Sequence, residues 1–337
     1  MKSLPDSLYL RYKHQKMKAA IHTQYGPPEV VHIREIDKPS PAANEVLVRV
    51  HASTVNRTDC GFRSAEYFVS RFFSGLFNPK QQILGCEFSG TIESVGELVL
   101  NYQAGDRIFG YNDIRFGGHA EYLIRDEQDA MTLMPQNLNF EEAAALTEGA
   151  HYALCNIRAA NVEAGQQIMV YGATGAIGSA AVQLLKYFDT EVTAVCNTPN
   201  IDLVRSLGAD HVIDYTMEDF TKTTERYDFI FDAVGRSSYG ACKKLLKENG
   251  VYISTELGKN GENIWMALYG LLSGGKRVLF PIPYTKKEDV IFLKELAERG
   301  KFKPLIDRIY PLDEILEAYQ YVESRQKIGN VVLKINS

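Results

Sequence analysis

The sequence is poor in the features that mark secreted, membrane-spanning and nucleic-acid-binding proteins. Its five cysteines are scattered and form no C-x-x-C pair, which is typical of a reducing compartment rather than of a disulfide framework. The longest apolar stretches, such as residues 264–272, are about half the roughly 20 residues that span a bilayer. The net charge is −5 without a run of Lys or Arg, so neither nucleic acid nor a membrane is a predicted partner. We expect a soluble, cytoplasmic protein.

What the sequence contains is typical of a globular protein of two domains. It has 337 residues, of which 45% are hydrophobic and 23% charged, and domains average about 150 residues. The first strand pattern begins near Lys18, so residues 1–16 are interpreted as an N-terminal extension of unknown role.

Residues 17–135 have the short alternating segments and frequent turns of an all-β region. Strands are predicted at residues 18–21, 46–50, 90–96, 105–110 and 119–124. Between them, residues 63–82 are long and rich in aromatic side chains. That segment predicts one or two short helices packed on the β body, or alternatively a cap over an apolar substrate pocket.

From Phe140 the apolar spacing changes from 2 to about 3.6, and residues 141–156 are predicted to be helical. Strands and helices then alternate, which predicts a doubly wound parallel sheet of α/β type. The predicted strands are 167–171, 191–196, 211–214, 228–232, 250–254 and 277–280. The predicted helices between them are 176–187, 200–207, 238–246 and 264–272.

The segment after Pro283 is too short for a domain of its own. It predicts helices at 288–300 and 313–324 and strands at 306–311 and 330–335. We expect it to complete the N-terminal β domain. The predicted division is therefore residues 17–140 with 284–337 for the β domain, and 141–283 for the α/β domain.

The strongest local motif runs through residues 168–178 (IMVYGATGAIG), where an apolar strand leads through a glycine-rich turn into a helix. This order is that of a dinucleotide-binding turn, in which backbone N–H groups and the helix N-terminus face a pyrophosphate. In the G-x-G-x-x-G frame the first glycine is replaced by alanine. The predicted cofactor contacts are Ala173, Thr174, Gly175, Ala176, Ile177 and Gly178.

The next strand ends without the Asp or Glu that binds the ribose 2′-hydroxyl of NAD. A carboxylate there would repel a 2′-phosphate, so its absence favours NADP(H), with NAD(H) as the alternative. The side chains predicted to contact the 2′-phosphate are Asn197, Thr198, Asn200 and Tyr215. No Lys or Arg stands at the strand end, and the nearest is Arg205 in the following helix.

The remaining cofactor contacts are predicted at other strand ends, because ligands of open α/β sheets lie outside the carboxyl ends of the strands. Val234 and Gly235 are expected on the adenine side. Thr255 and Leu257 are expected near the nicotinamide. Phe280 and Ile282 are expected close to its amide.

Motifs in the same order along most of the chain resemble those of the medium-chain dehydrogenase/reductase superfamily, in its zinc-free quinone oxidoreductase-like branch. The resemblance implies a GroES-like catalytic domain, a Rossmann domain and an active site in the cleft between them, closed in part by Gly329 and Asn330. The motifs are 25–30 (YGPPEV), 55–59 (VNRTD), 85–90 (GCEFSG), 105–110 (GDRIFG), 117–122 (GGHAEY), 142–146 (EAAAL), the glycine turn, 207–215 (LGADHVIDY), 231–235 (FDAVG) and 327–332 (KIGNVV).

Zinc-dependent members of the superfamily hold their catalytic metal with a thiolate, a histidine and a further ligand. Asn56 stands at the first of these positions and Cys86 at the second, and no cysteine is supplied around His151. The four-cysteine loop of the structural zinc is also missing. The predicted metal content is none, and Cys86 is interpreted as a small packed residue.

The resemblance makes Asn56 the predicted polar contact to nicotinamide or substrate, with a turn residue satisfying its own backbone as the alternative. Arg63 and Tyr67 are candidates to bind or protonate the substrate, and ordinary surface residues on the other interpretation. His119 and His151 are candidate general acids, although packing is the favoured role of His119.

The hypothesis is a zinc-independent, NADP(H)-preferring oxidoreductase that transfers hydride to a quinone, an activated alkene or an aldehyde. One alternative is an enoyl-thioester reductase. The other is a cofactor-binding protein with a regulatory or structural role and no turnover. A homodimer formed through an edge strand of the Rossmann sheet is expected by resemblance.

Overall fold

The structure is a computed structural model that describes residues 15–66, 71–270 and 274–336. The chain divides into two compact units. The first comprises Met1–Thr147, Thr285–Glu298 and Ile306–Ser337, and the second comprises Glu148–Tyr284 and Arg299–Leu305. Most of the predicted extension at residues 1–16 lies outside the described residues.

The strands are numbered in the order in which they occur along the chain. They are β1 Lys16–His22, β2 Val31–Asp37, β3 Glu45–Val55, β4 Glu87–Val95, β5 Arg107–Tyr111, β6 Tyr122–Asp126, β7 Met131–Leu133, β8 Gln167–Tyr171, β9 Glu191–Cys196, β10 His211–Asp214, β11 Tyr227–Asp232, β12 Leu246–Ser254, β13 Arg277–Leu279, β14 Ile306–Pro311 and β15 Asn330–Lys334.

The α-helices are numbered in the same way. They are α1 Arg57–Ser64, α2 Arg71–Ser74, α3 Phe140–Ala144, α4 Glu148–Ala159, α5 Ala176–Tyr187, α6 Ile201–Ser206, α7 Tyr239–Cys242, α8 Glu262–Gly270, α9 Lys287–Glu298 and α10 Ile315–Glu323. None of the helices in the described ranges is long and apolar enough to cross a membrane.

The first unit is built around β3, which pairs with β15, β4 and β6. The main sheet has the order β14-β15-β3-β4-β5-β7. Val46, Val48 and Val50 are alternate residues of β3 that point to one face and pack on Phe88 and Ile92, as the period of two requires. The C-terminal strand β15 therefore completes the sheet of the first unit.

The second unit is a parallel sheet in the order β10-β9-β8-β11-β12-β13. An α-helix lies between each pair of strands that are consecutive along the chain, except between β10 and β11, where a 3₁₀ turn, Phe220–Lys222, takes its place. This confirms the predicted doubly wound α/β architecture, and β8, β9, β10 and α5 have the predicted bounds. The pattern identifies these elements because each strand is a short apolar run and each helix buries one apolar face. All the strands run in one direction, so their carboxyl ends share one edge of the sheet, called here the cofactor edge.

The prediction of one helix over residues 141–156 is wrong, because the chain forms α3 and α4 with a break between them. At the break, Thr147 donates its backbone N–H and its hydroxyl to Oε1 of Glu87, at 3.0 and 2.7 Å. An N–H bound to this buried carboxylate cannot continue a helical ladder. The N-terminal segment of the first unit also ends at Thr147.

The predicted helix over residues 238–246 is much shorter. The helix α7 is followed by a 3₁₀ turn, Lys243–Leu245, and β12 begins at Leu246 rather than at residue 250. Leu246 pairs with Tyr227 of β11, and both side chains are buried in the core of the unit. Burial of such side chains contributes about 1.5–3 kcal/mol each, which outweighs the local helical preference.

Candidate functional site

The glycine turn that follows β8 is closed too tightly for larger residues at two of its positions. Gly172 has a φ of +79°, and a Cβ on it would lie 2.5 Å from Val234. A Cβ on Gly178 would lie 2.1 Å from the carbonyl oxygen of Gly172. Gly175 differs, because its φ is −71° and the nearest atom to a Cβ would be 3.8 Å away. The turn is therefore packed on its inner side and open at Gly175.

Gly175 is also the N-cap of α5, and it offers no side chain to the first turn of that helix. The first N–H groups of a helix have no partner within the helix, and together with the helix dipole they favour an anion. The charge of a dinucleotide pyrophosphate suits these N–H groups, which form a cradle with the glycine turn. The predicted contacts Ala173, Thr174, Ala176 and Ile177 lie in it.

The end of β9 carries the side chains predicted to meet a 2′-phosphate, and several are already hydrogen-bonded to one another. Asn200 donates its amide to Asn197, and Thr198 donates its hydroxyl to Asp214 at 2.5 Å. Tyr215 is half exposed, and its ring lies 6.4 Å from that of Tyr171. These residues lie together at the cofactor edge, and their contact with a cofactor stays a prediction.

Asp232, at the end of β11, organises the loop that holds Val234 and Gly235. Its carboxylate accepts hydrogen bonds from the backbone N–H groups of residues 234–237, at 2.8–3.3 Å, and from the Tyr252 hydroxyl at 3.2 Å. Burial raises the pKa of Asp232, and the N–H groups oppose that rise. Val234 in turn packs on Gly172, so the loop and the glycine turn support each other.

The predicted cofactor contacts that follow β12 and β13 are less buried than the glycine turn. Thr255 donates its N–H to the Asp232 carbonyl at 3.1 Å, and Leu257 accepts one from Asn263 at 3.1 Å. Phe280 is partly buried, while Ile282 is exposed. The structure thus brings these predicted residues to the cofactor edge.

In the first unit Asn56 caps helix α1. Its Oδ1 accepts the Asp59 N–H at 3.0 Å, and Asp59 accepts the Asn56 N–H at 3.1 Å, which is a capping box. The Asn56 amide also donates to Sγ of Cys86 at 3.1 Å, and the residue is 3% exposed. Capping is thus a role that the geometry shows, and contact with a reactant stays a prediction.

Gly329 and Asn330 lie close to Asn56 in the fold. Val331 pairs with Val55 across the antiparallel strands β15 and β3, so the preceding Asn330 lies at the end where Asn56 follows Val55. Asn330 is buried, and Gly329 has a φ of +75°. The register therefore clusters these three predicted residues at one end of the sheet.

Arg63 is enclosed, which neither interpretation of the sequence anticipated. Its guanidinium donates to the Gly26 carbonyl at 2.7 Å, forms an ion pair with Glu323 and lies 5.0 Å from the Tyr319 ring. The residue has no exposed surface. The other candidate, Tyr67, lies outside the described residues. A substrate contact by either residue stays a prediction.

The donors at the family's zinc positions do not suit a catalytic zinc. Asn56 offers a neutral amide, and Cys86 already accepts that amide's hydrogen bond. Both oxygens of the neighbouring Glu87 are taken, by Thr54 and by Thr147. In the described part of the chain, no three His, Cys, Asp or Glu side chains are grouped so that they could hold a metal ion.

Of the two candidate general acids, His119 is buried and both of its ring nitrogens are hydrogen-bonded. Its Nε2 lies 2.7 Å from the Thr54 carbonyl, which can only accept, so Nε2 carries the proton. Nδ1 then accepts from the Tyr319 hydroxyl at 3.4 Å. Burial lowers the pKa of His119 to about 4. The favoured packing role fits this geometry. His151 is also buried, with its ring edge-on to Tyr152.

The low pKa of His119 predicts acid destabilisation. The unfolded histidine takes up a proton near pH 6.5 and the folded one near pH 4, so between these values protons favour the unfolded state. We expect the contribution of His119 to the free energy of unfolding to fall by about 3 kcal/mol as the pH drops through this window. Asp59, whose pKa is raised to about 7 by burial, changes the free energy of unfolding in the opposite direction. Urea unfolding at each pH measures the free energy of unfolding.

The variant His119→Gln should lose this contribution, because Gln has no proton to gain, so its free energy of unfolding relative to the unmodified protein should change by about 3 kcal/mol between pH 6.5 and pH 4. His32, which is exposed, provides the matched control as His32→Gln. Equal slopes for His119→Gln and the unmodified protein would contradict the prediction.

Three carboxylates fix the backbone around these sites by hydrogen bonds, and the sequence analysis did not identify them as structural residues. No role is assigned to Glu87, Asp214 or Asp232 from the sequence. Each stands at one end of an apolar strand, Glu87 at the start of β4 and the two aspartates at the ends of β10 and β11, and a buried acid needs partners. That signal could have identified them as structural anchors, although not their partners.

Comparisons with known proteins agree with this architecture. The model of the alcohol dehydrogenase GroES-like domain matches residues 42–176, and the model named zinc-binding dehydrogenase matches residues 207–333. The quinone oxidoreductase of Coxiella burnetii has a structure that superposes with a TM-score of 0.85 at 27% identity, covering 96% of this chain and 100% of that one.

Two curated relatives match almost the whole chain. The 2-methylene-furan-3-one reductase of Solanum lycopersicum is 29% identical over 334 residues, covering 94% of this chain and 79% of the relative. The chloroplastic NADPH-dependent alkenal/one oxidoreductase of Arabidopsis thaliana is 29% identical over 332 residues, covering 95% and 80%. The chain is composed of the two domains of the medium-chain dehydrogenase/reductase superfamily, and its relatives include quinone oxidoreductases and alkenal reductases, which confirms the resemblance seen in the motifs.

Proposed function

We propose that this protein is an NADP(H)-preferring reductase that acts without zinc and transfers hydride to an activated alkene, a quinone or an aldehyde. The observation that carries the proposal is the cradle formed by the glycine turn and the uncapped N-terminus of α5. It lies at the one edge of a parallel sheet where dinucleotides bind.

The protein's own part in such a reaction is binding and orientation. The first-turn N–H groups of α5 would hold the pyrophosphate, and the loop fixed by Asp232 would support the adenine side. When bound, the nicotinamide supplies the hydride. With the cofactor carrying this chemistry, alignment of the reactants and exclusion of water account for much of the rate.

The substrate class is suggested by the relatives, which are named for alkenal/one, furanone and quinone reduction. Within residues 63–82, Phe72, Leu76 and Phe77 expose apolar surface. These side chains are proposed to line the apolar substrate pocket. None of the five cysteines is in a disulfide, which fits the proposed cytoplasmic location.

The cofactor proposal is tested by titrating the protein with NADPH and with NADH at matched salt, following nicotinamide fluorescence. We expect both to bind, NADPH more tightly. Binding of neither would overturn the proposed function, because the glycine turn would then be structural.

The substrate proposal is tested by turnover on alkenals, quinones, aldehydes and enoyl thioesters, before and after treatment with a chelator. Turnover on one of the first three, unchanged by the chelator, is expected. Preferred turnover of enoyl thioesters would replace the substrate class. Bound cofactor without any turnover would indicate a non-catalytic role, and loss of activity restored by zinc would overturn zinc independence.

The proposed contact of Asn56 with nicotinamide or substrate predicts the effect of Asn56→Ser. Serine is as good an N-cap as asparagine but has no amide to donate. We expect kcat/KM to fall about tenfold, which is about 1.4 kcal/mol, while the free energy of unfolding changes by less than about 1 kcal/mol.

Asn139 caps α3 in the same kind of box with Glu142 and supplies the matched control as Asn139→Ser. If turnover is the same in both variants, Asn56 acts as a helix cap alone.

We further propose that two copies associate along β13. Among the described residues this strand pairs with β12 alone, and the adjacent α8 exposes Trp265, Leu268 and Tyr269 by 52–71%. Sedimentation should give the mass of a dimer, and Trp265→Glu should lower it to that of a monomer. A monomeric unmodified protein at micromolar concentration would contradict the proposal.

A further inference from the structure

The end of β9 lacks an acid in sequence, but the structure places a carboxylate beside it. Thr198 stands twenty residues after Gly178, about the spacing at which a dinucleotide site carries its ribose-binding acid. The Thr198 hydroxyl lies 2.5 Å from Oδ2 of Asp214. Asp214 ends the neighbouring strand β10, in register with Cys196 at the end of β9. The acid is therefore supplied by the next strand.

The carboxylate of Asp214 is fixed and charged. Its Oδ1 accepts the Thr216 hydroxyl at 2.6 Å and the Thr216 N–H at 2.9 Å. Hydrogen bonds from Thr198 and Thr216 lower the pKa of Asp214. Arg205 in α6 forms an exposed ion pair with Asp202 at 3.8 Å, so its charge is already partly compensated.

This arrangement determines what the two hydroxyl groups can offer a ligand. Each hydroxyl has one proton, and the hydroxyl oxygens of Thr198 and Thr216 also lie 2.9 Å apart. Both protons are therefore used within this cluster, on Asp214 or on the other hydroxyl. Toward a ligand they can only accept. A ribose 2′-hydroxyl can donate to such a group, whereas a 2′-phosphate has mainly acceptor oxygens and is repelled by the nearby negative charge.

We infer that Asp214 is a specificity-determining residue that narrows the preference for NADP(H) over NAD(H), so that the protein accepts both cofactors. This inference rests on the proposed function, because it concerns the adenosine end of the same site. The residue that discriminates between the two cofactors thus stands at the end of β10, whereas the sequence spacing places such a residue at the end of β9.

The test compares the dissociation constants of NADPH and NADH for the unmodified protein and for Asp214→Asn. We expect the variant to raise the affinity for NADPH relative to NADH by about three- to tenfold at low salt, and less at 0.5 M salt, where the repulsion is screened. Glu163→Gln removes the same charge from an exposed position just before β8, at the opposite edge of the sheet, and should leave the ratio unchanged.

A second variant tests the same idea from the other side. Thr216→Val leaves the charge of Asp214 in place but removes a hydrogen bond that satisfies it, so the ratio should move in the opposite direction and favour NADH. This variant decides the matter if Asp214→Asn fails to fold.

An unchanged ratio in both variants overturns the inference while leaving the proposed function intact. An equal shift with Glu163→Gln also overturns it, because general surface charge would then explain the effect. Failure of the unmodified protein to bind either cofactor overturns the proposed function itself, and the inference falls with it.

Discussion

Gly175→Ala is expected to weaken NADPH binding about 100-fold, which is about 2.7 kcal/mol, without loss of stability. The backbone at Gly175 is extended, and a methyl group there meets no protein atom closer than 3.8 Å. In a dinucleotide-binding turn this position allows the backbone to approach the pyrophosphate. The methyl group would occupy that space, so the fold tolerates it and the ligand does not. Nicotinamide fluorescence and urea unfolding measure the two effects.

The neighbouring Gly178→Ala provides the contrast. Its Cβ would lie 2.1 Å from a backbone oxygen that cannot move aside without opening the turn, so we expect a loss of about 2–3 kcal/mol in the free energy of unfolding. If Gly175→Ala binds NADPH as tightly as the unmodified protein does, the turn does not hold a pyrophosphate.

Arg63→Met is expected to lower the free energy of unfolding by about 3 kcal/mol. The change keeps most of the apolar volume but removes the hydrogen bond to Gly26 and the ion pair with Glu323. Removing one partner of a buried pair leaves the other polar groups unsatisfied, which costs several kcal/mol. Since Glu323 is about one-third exposed, the cost should be at the lower end. Chemical unfolding measures it.

The same variant separates a structural Arg63 from a substrate-binding one. We expect KM to stay within about twofold at a temperature where the variant is folded. Arg57→Met, on the same helix but with a partly exposed side chain, is the control. A raised KM at unchanged stability would show that Arg63 contacts substrate.

The parts of this molecule that sequence could predict are those determined by nearby residues. The strands β8 to β10 and the helix α5 follow from short apolar runs and a glycine turn, and the family motifs are contiguous. The Asn56 cap was also readable, because its partner is three residues away.

What sequence could not predict depends on partners that are distant along the chain. The break before α4 comes from Glu87, sixty residues from Thr147. Arg63 is enclosed by Glu323, far along the chain. Asp214 acts on the end of β9 only because two parallel strands align Asp214 with Cys196. No pattern of local spacing contains these pairings.

The pairing of β15 with β3 has a consequence for how the chain folds during synthesis. Val331 must reach Val55 before the first unit has its full sheet, whereas the strands β8 to β13 of the second unit all lie within residues 167–279. On the ribosome, the later-encoded sheet can therefore be complete while the earlier one still lacks a strand. Until β15 is made, the first unit has an unpaired strand edge, and such edges favour misassembly. Chaperone dependence should accordingly be greatest for the half of the protein that is made first.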